Sequence, residues 1–469
     1  MGSIGTPEEP LRVAIVGSGP SGFYAAGHLL KSRSHPGLEA QVDVYDRLAT
    51  PWGLVRGGVA PDHPNIKAVS RVYEKTAAHP EFRFFGNLDY GSDLTHEDLL
   101  ARYHAVIYAV GAQVDRRIGI PGEDLPGSWS ATELVAWYNG HPDYREPEFD
   151  LSCKRAVVIG NGNVAADVAR MLALTRDELA ETDVADHALD VLAESGIEEI
   201  VVLGRRGPAQ AAFTNPELLE LGEMTDADVY VDASDVEIDE LSRTWLESDA
   251  ASGTSRKNVE ILTGYAGRRP EGKRRRIVLR FLVSPLEILG DERVEGIRIC
   301  RNALRDEDGA LRACSTETVE ELDCGIVFRS IGYRGIPVHG LPFDERSGTI
   351  PHEGGRIVGG AGEPLPGEYV VGWIKRGPTG IIGTNKRDAQ QTVDALLEDL
   401  DAGRLNDPDD PSRDSLEELL EERKPDHVTY AGWEAIDRAE KAAGEPQGRP
   451  RVKLTTTDEL LEAARERVG

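Results

Sequence analysis

The sequence predicts a three-layer α/β protein with two doubly wound parallel sheets. A short, nearly continuous apolar run from Leu11 to Val16 is followed at once by a glycine turn and a helix pattern, and the same phrase returns at Arg155 to Ile159. Unbroken apolar runs of this length suit parallel strands covered on both faces. The length, 469 residues, also exceeds what one hydrophobic core usually supports, so two domains are expected.

In chain order, the turn Gly17-Ser18-Gly19-Pro20-Ser21-Gly22 opens a helix from Phe23 to Lys31. Gln41 to Asp46 then resumes a strand and ends on an acid, completing a βαβ unit. Ala105 to Val110 reads as a further strand closed by Gly111. The second phrase has the turn Gly160-Asn161-Gly162-Asn163-Val164-Ala165, a helix from Val164 to about Leu174, and a partner strand from Glu199 to Leu203. The acidic segment between them, Asp177 to Glu194, reads as a surface helical excursion. Arg276 to Val283 and Val294 to Arg301 read as antiparallel strands, and Cys324 to Ile331 as a strand closed by Gly332. Glu368 to Gly372 is a strand leading into a glycine-rich loop and a helix through about Leu397. The charged stretch from Leu400 to Pro425 reads as a linker with a helix, and a capping box at Thr456 to Glu459 starts a final helix.

Composition narrows the function. With 53 basic against 82 acidic residues the net charge is -29, which disfavours nucleic acid and anionic membrane as partners. Cys153, Cys300, Cys314 and Cys324 contain no CxxC pair and match neither a disulfide scaffold nor a zinc knuckle, so they are expected to be reduced and buried. A dithiol relay of the kind used by disulfide reductases is absent. No apolar run approaches the roughly 20 residues that span a bilayer, and no signal or transit segment is evident, so a cytoplasmic location is expected. Met1-Gly2-Ser3-Ile4-Gly5-Thr6 fits the N-myristoylation pattern, a short one that glycine-rich leaders match by chance.

A GxGxxG by itself is weak, but between a buried strand and a helix its glycines permit a tight turn and close approach of a pyrophosphate to the helix N-terminus. Gly17, Gly19 and Gly22 form one such Rossmann-like site, with Asp46 placed to bind ribose hydroxyls. Gly160 and Gly162 form a second, with alanine at its close-packing position. Its partner strand ends in Gly204-Arg205-Arg206-Gly207, where guanidinium groups suit a ribose 2'-phosphate that an acid would repel. The first turn with Asp46 therefore fits FAD, and the second selects NADP over NAD. A third glycine-rich loop, Gly377 to Thr384, could offer backbone amides to a flavin ring, although a plain helix cap uses the same letters. Trp373 just ahead of it could be core or could stack on a cofactor.

Gly53-Leu54-Val55-Arg56 with Gly58 to Pro64 resembles the fingerprint of adrenodoxin-reductase-type ferredoxin-NADP reductases. The likeness continues through Gly119 to Asp124, Trp137 to Gly140, Gly204 to Pro208, Gly332 to Gly335 and Gly372 to Asn385. It implies a glutathione-reductase-like fold, with an NADP-binding domain at 112–334 inserted in a discontinuous FAD-binding domain of residues 1–111 and 335–469. It also implies an enzyme that takes a hydride from NADPH onto FAD and passes single electrons to an iron-sulfur ferredoxin. The nicotinamide and flavin would meet at the domain interface, where proximity supplies most of the acceleration. By the resemblance, FAD lies on Ser21, Asp46, Leu54, Tyr90, Trp373 and the amides of Gly380, Ile381 and Ile382, with Gly380 also near the nicotinamide. NADPH meets Asn161, Gly162, Asn163, Val164, Arg205, Arg206 and Glu217. His63 and Glu220 match positions that tune hydride transfer or electron exit, and no metal is implied. Two departures stand out: Asp46 replaces a usual Glu, and Ala166 a usual Leu.

An acidic ferredoxin would need a local basic face. Arg268-Arg269 with Lys273 to Arg276 is the densest basic segment, though a hairpin with solvated arginines explains it equally. Lys375 and Arg376 are expected with Arg205 and Arg206 around NADPH, and the docking face stays open. A monomer is expected. Two alternatives share the glycine motifs: an NADPH-dependent flavin monooxygenase or oxidase, which would consume oxygen productively, and a non-catalytic NADPH redox sensor, which would not bleach a flavin rapidly.

Overall fold

The computed structural model describes residues 4–465, so the start of the myristoylation-like pattern, Met1 to Ser3, lies outside the described residues. Leu11–Val16 is buried along its whole length because the first sheet is covered on both faces. Leu11, Val13 and Ile15 pack with Phe23 and Ala26 of helix Pro20–Leu30 and with Val393 and Leu396 of helix Ile382–Asp401. Ala14 and Val16 point the other way, onto Tyr103, Leu416 and Leu420. The strand pairs in parallel with Ala40–Tyr45 on one side and Ala105–Tyr108 on the other. Phe82–Gly86 and Pro364–Val370 extend the parallel core, and short antiparallel strands close an eight-stranded sheet. The 400–425 stretch is more than a linker: its helix Arg413–Arg423 buries Leu416 and Leu420 over the sheet.

The second sheet has six strands, ordered Ser128–Ser130, Ile326–Arg329, Arg155–Ile159, Glu199–Leu203, Arg275–Arg280 and Ala227–Val231, all parallel. Ala156 and Val158 face helices, including Asn163–Ala173. Val157 and Ile159 face the third layer, an antiparallel sheet of Val283–Leu289, Gly296–Glu307 and Ala310–Asp323. This corrects the reading of residues 276 to 283: Arg275–Arg280 completes the parallel sheet, and the chain leaves for the antiparallel layer only at Leu282, whose φ is +53°. An apolar run looks the same in either pairing, so the periodicity could not separate them.

The segment from Asp177 to Glu194 is also corrected. Its helices Arg176–Ala180 and Asp186–Ala193 bury Leu179, Ala188 and Leu192 in the second core, and Val184 in the connection between them joins that core. The C-terminal chain clamps it: Arg449 Nε donates to the Thr182 carbonyl at 3.1 Å, and Lys453 Nζ pairs with Asp183 at 3.4 Å. Two of the four cysteines, Cys153 and Cys314, are only partly buried. The basic segment 268–276 is a connection rather than a hairpin: Arg275 is fully buried against the carbonyls of Leu172 and Leu174, and Arg274 pairs with Asp226 at 2.7 Å. The chain passes between the two sheets through a ribbon in which Val114–Asp115 pairs antiparallel with Tyr333–Arg334.

Candidate dinucleotide sites

Two of the three glycines in the first turn are demanded by the protein's own backbone. Gly17 has φ +109°, and a Cβ there would lie 2.5 Å from the Ala109 carbonyl oxygen; one on Gly22 would lie 2.1 Å from that of Gly17. Gly19 is different, because a Cβ would meet nothing within 4 Å. Its bare backbone borders open space at the N-terminus of a helix with no side-chain cap and no acid in its first turn. That arrangement leaves amide donors and the positive helix end for a phosphate. Asp46, one residue past the strand, accepts from the Ser18 amide at 2.9 Å and the Leu48 amide at 3.0 Å. Burial raises its carboxyl above the usual range against those hydrogen bonds.

Residues distant in sequence converge beside this turn. Ser21 Oγ donates to Asn385 Oδ1 at 3.0 Å, and a Cβ on Gly372 would lie 2.4 Å from Ser21 Oγ. Helix Ile382–Asp401 opens there with Gly380 at φ +83°, Ile381 63% exposed and Ile382 at its first position. Leu54 is exposed. The Trp373 ring lies 5.4 Å from Tyr333, and its Nε1 is buried without a hydrogen-bond partner. Tyr90 donates its hydroxyl to the His339 carbonyl at 2.9 Å, and burial pushes its phenol up to about 12. Lys375 and Arg376 are not free for a second dinucleotide. Lys375 is buried against Asp388 at 2.9 Å and Thr392 at 3.0 Å, and Arg376 bonds to Asn385 at 2.8 Å, so both brace this loop. Spacing alone could not show that Asp388, on the helix that follows, is their partner.

The second turn repeats the logic. Gly160, at φ +137°, would place a Cβ 2.1 Å from the Ser330 carbonyl oxygen, whereas Gly162 would meet only Ala212 Cβ at 3.8 Å. Asn163 Oδ1 accepts from the Thr214 amide at 2.8 Å, and Val164 packs against the core. The Asn161 Nδ2 is buried and has no partner. Arg205 and Arg206 are exposed, and neither guanidinium has an acidic partner among the described residues. Burial, and then the Arg205 charge, lowers Arg206. In a chain of net charge -29, two adjacent unpaired guanidiniums mark an anion site.

Between the turns the structure brings His63 and Glu220 together, Nε2 to Oε2 at 2.8 Å. Arg170 sits behind them, donating to Asp167 at 2.7 Å and Glu217 at 3.3 Å, with its Nη2 3.4 Å from His63 Nδ1 and its Nε 2.5 Å from Asp62. A guanidinium can only donate, so His63 Nδ1 accepts and its Nε2–H points at Glu220. Glu217 is thus inside this cluster. Burial, reinforced by the Asp167 carboxylate, pushes it up to about 7. His63, Asp167 and Glu217 have the spacing of a metal triad, but the Arg170 guanidinium already supplies the cation among them. Asp62, Asp167 and Arg170 were not singled out from the sequence; the one available signal was the i,i+3 pair of Asp167 with Arg170.

Glycines that no protein atom requires, together with orphaned donors on Trp373 and Asn161, fit two dinucleotides. Comparison with known proteins agrees. Residues 11–201 match the family model described as pyridine nucleotide-disulphide oxidoreductase. NADPH-ferredoxin reductase FprA of Mycobacterium tuberculosis is 53% identical over 460 residues, covering 96% of this chain and 98% of that protein. Mitochondrial NADPH:adrenodoxin oxidoreductase of Salvelinus fontinalis is 42% identical over 476 residues, covering 99% and 93%. The solved structure of M. tuberculosis FprA in complex with NADPH superposes with a TM-score of 0.91 at 52% identity, covering 97% of this chain and 100% of that one. Identity of this order along nearly the whole of both chains, on the same fold, makes this chain a member of the NADPH-ferredoxin reductase family, the adrenodoxin-reductase type.

Proposed function

We propose that the chain takes electrons from NADPH, through FAD, to an iron-sulfur ferredoxin. The observation that carries the reading is the contrast at the two strand ends: Asp46 tied to the first turn, and unpaired Arg205 and Arg206 beside the second. An acid suits ribose hydroxyls and repels a 2'-phosphate, whereas guanidiniums bind one. When bound, FAD accepts a hydride and gives up electrons singly, which joins a two-electron donor to a one-electron acceptor.

The protein's part is binding and orientation. Gly17 to Gly22, Asp46, Leu54, Tyr90, Trp373 and the amides of Gly380 to Ile382 hold the flavin nucleotide; Asn161 to Val164 with Arg205 and Arg206 hold NADPH. The FAD-binding domain comprises residues 1–111 and 335–469, and the NADP-binding domain 112–334, a division that the ribbon at Val114–Asp115 and Tyr333–Arg334 supports. His63 joins Glu220 across that division, and the Glu217 carboxyl can hold a proton near neutral pH beside them. The protein acts as a monomer in the cytoplasm; no helix among the described residues is long and apolar enough to cross a membrane.

An absorbance spectrum of the purified protein, before and after anaerobic NADPH, tests the reading, followed by ferredoxin-dependent cytochrome c reduction. A flavin spectrum that bleaches rapidly, and reduction that needs ferredoxin, is the expected result. Turnover that consumes oxygen on an organic substrate without ferredoxin would favour a monooxygenase, and a flavin that NADPH fails to bleach would favour a sensor.

A further inference from the structure

The arginine turn is held by its backbone: the Gly207 carbonyl accepts from the Gln210 amide at 3.0 Å, and the three carbonyls before it are capped by the antiparallel layer and the junction that leads into it. The Gly204 carbonyl accepts from the Val283 amide at 3.1 Å, that of Arg205 from Asn302 Nδ2 at 2.8 Å, and that of Arg206 from the Leu282 amide at 3.1 Å. Two of the three donors belong to the junction where the chain leaves the parallel sheet, and Leu282 adopts φ +53° there. A non-glycine residue in that region is strained and persists only where its surroundings over-determine it. The third donor is a side chain from strand Gly296–Glu307. Asn302 is 7% exposed, its own amide donates to the Leu282 carbonyl at 2.7 Å, and its Nδ2 also donates to Ser284 Oγ at 2.8 Å. The strand's register shifts between Cys300 and Asn302, which turns this residue toward the arginine turn.

We propose that Asn302 is a positioning residue for coenzyme specificity: it fixes the Arg205 carbonyl so that both guanidiniums leave the turn on the solvent side, aimed at one 2'-phosphate. The proposal rests on the reading of Arg205 and Arg206 as the phosphate site. Two adjacent like charges repel each other and favour divergent conformations, so a turn free to flex would separate them. Asn302 touches neither guanidinium; it acts through the main chain. Its two amide hydrogens serve two acceptors, Arg205 O and Ser284 Oγ, a task that an aliphatic side chain cannot perform and a serine is too short to reach. Without it the Arg205 carbonyl loses its partner and the turn must shift toward water to regain one.

Asn302→Leu and Asn302→Ser, made in the full chain with flavin bound, are titrated calorimetrically with adenosine 2',5'-bisphosphate and with 5'-AMP, beside Arg205→Ala. The expected result is a rise of about tenfold in Kd for the 2'-phosphorylated ligand in either Asn302 variant, with 5'-AMP unchanged. A merely structural role would weaken both ligands alike. If the Asn302 variants treat the two ligands alike while Arg205→Ala loses only the 2'-phosphorylated one, Asn302 has no positioning role although the phosphate site stands. If Arg205→Ala also fails to separate the ligands, the phosphate reading is wrong and the role of Asn302 falls with it. Should the leucine variant not fold, the serine variant decides between the same outcomes.

Discussion

The two glycine turns share a backbone and differ in where their charge is spent. At the first, the acid of the strand end is drawn inward: Asp46 accepts from Ser18 and Leu48 and is partly desolvated. At the second, charge is pushed outward: Arg205 and Arg206 have no acidic partner, and the turn beneath them is fixed by three capped carbonyls. Their closest packing differs as well. Gly22 lets its helix approach the Gly17 carbonyl, whereas Ala165 fills the equivalent place in the second turn. The lesson is that a shared glycine spacing builds the pyrophosphate cradle, and the strand end decides which nucleotide it takes.

The largest difference between the two turns is expected from Gly22→Ala against Gly162→Ala. A Cβ 2.1 Å from a backbone oxygen forces the helix off its strand, so Gly22→Ala should cost about 3 kcal/mol and lose FAD, read by thermal melting and flavin absorbance. Gly162→Ala adds a Cβ no nearer than 3.8 Å to any protein atom, so its melting point should stay at the wild-type value while the KM for NADPH rises about tenfold. Equal melting points in the two variants would contradict the division of glycines into structural and ligand-facing ones.

Next in size is the double replacement Arg205→Ala with Arg206→Ala. Two charge-assisted contacts to a phosphate are worth about 3 kcal/mol together, so the KM for NADPH should rise about a hundredfold. That for NADH should hardly move. Steady-state kinetics with both coenzymes decides it, and a parallel loss in both would remove the phosphate assignment.

The smallest effect sharpens the boundary between the turns. Glu217 is pushed up to about 7 from an ordinary value of 4.5, so the folded protein keeps this proton to a higher pH than the unfolded chain does. The stability it contributes is present below pH 4.5 and is lost as pH rises toward 7. Glu217→Gln cannot ionise and still accepts from Arg170, so it should melt about 2–4 °C above the wild type at pH 8 and show no such gain at pH 5. A gain that is the same at both values would mean that the buried charge is not its source.

Much of the site could be read in advance because its parts are local. Gly17, Gly19 and Gly22, the acid at Asp46 and the Arg205-Arg206 pair each sit at a fixed offset from a strand, and the chemistry of a βα turn depends on those offsets. The family fingerprint added His63, Glu220 and the 380–382 loop. What escaped were matters of pairing between distant segments: Lys375 and Arg376 answer to Asp388, and Arg275 is buried under Leu172. The excursion at 177–194 misled because its charge is plain in the letters, whereas the contacts of Leu179 and Leu192 with the core are not.

By itself, then, the sequence determined two buried parallel sheets, two glycine turns and the opposite charges at their strand ends, because each follows from neighbours a few residues apart. Only the tertiary structure decided that His63 meets Glu220 around Arg170, that Ser21 meets Asn385, and that Asn302 reaches the Arg205 carbonyl. Those contacts join residues separated by as many as 364 positions. Their partners are chosen by how layers stack and where strands shift register, which no local pattern of residues encodes.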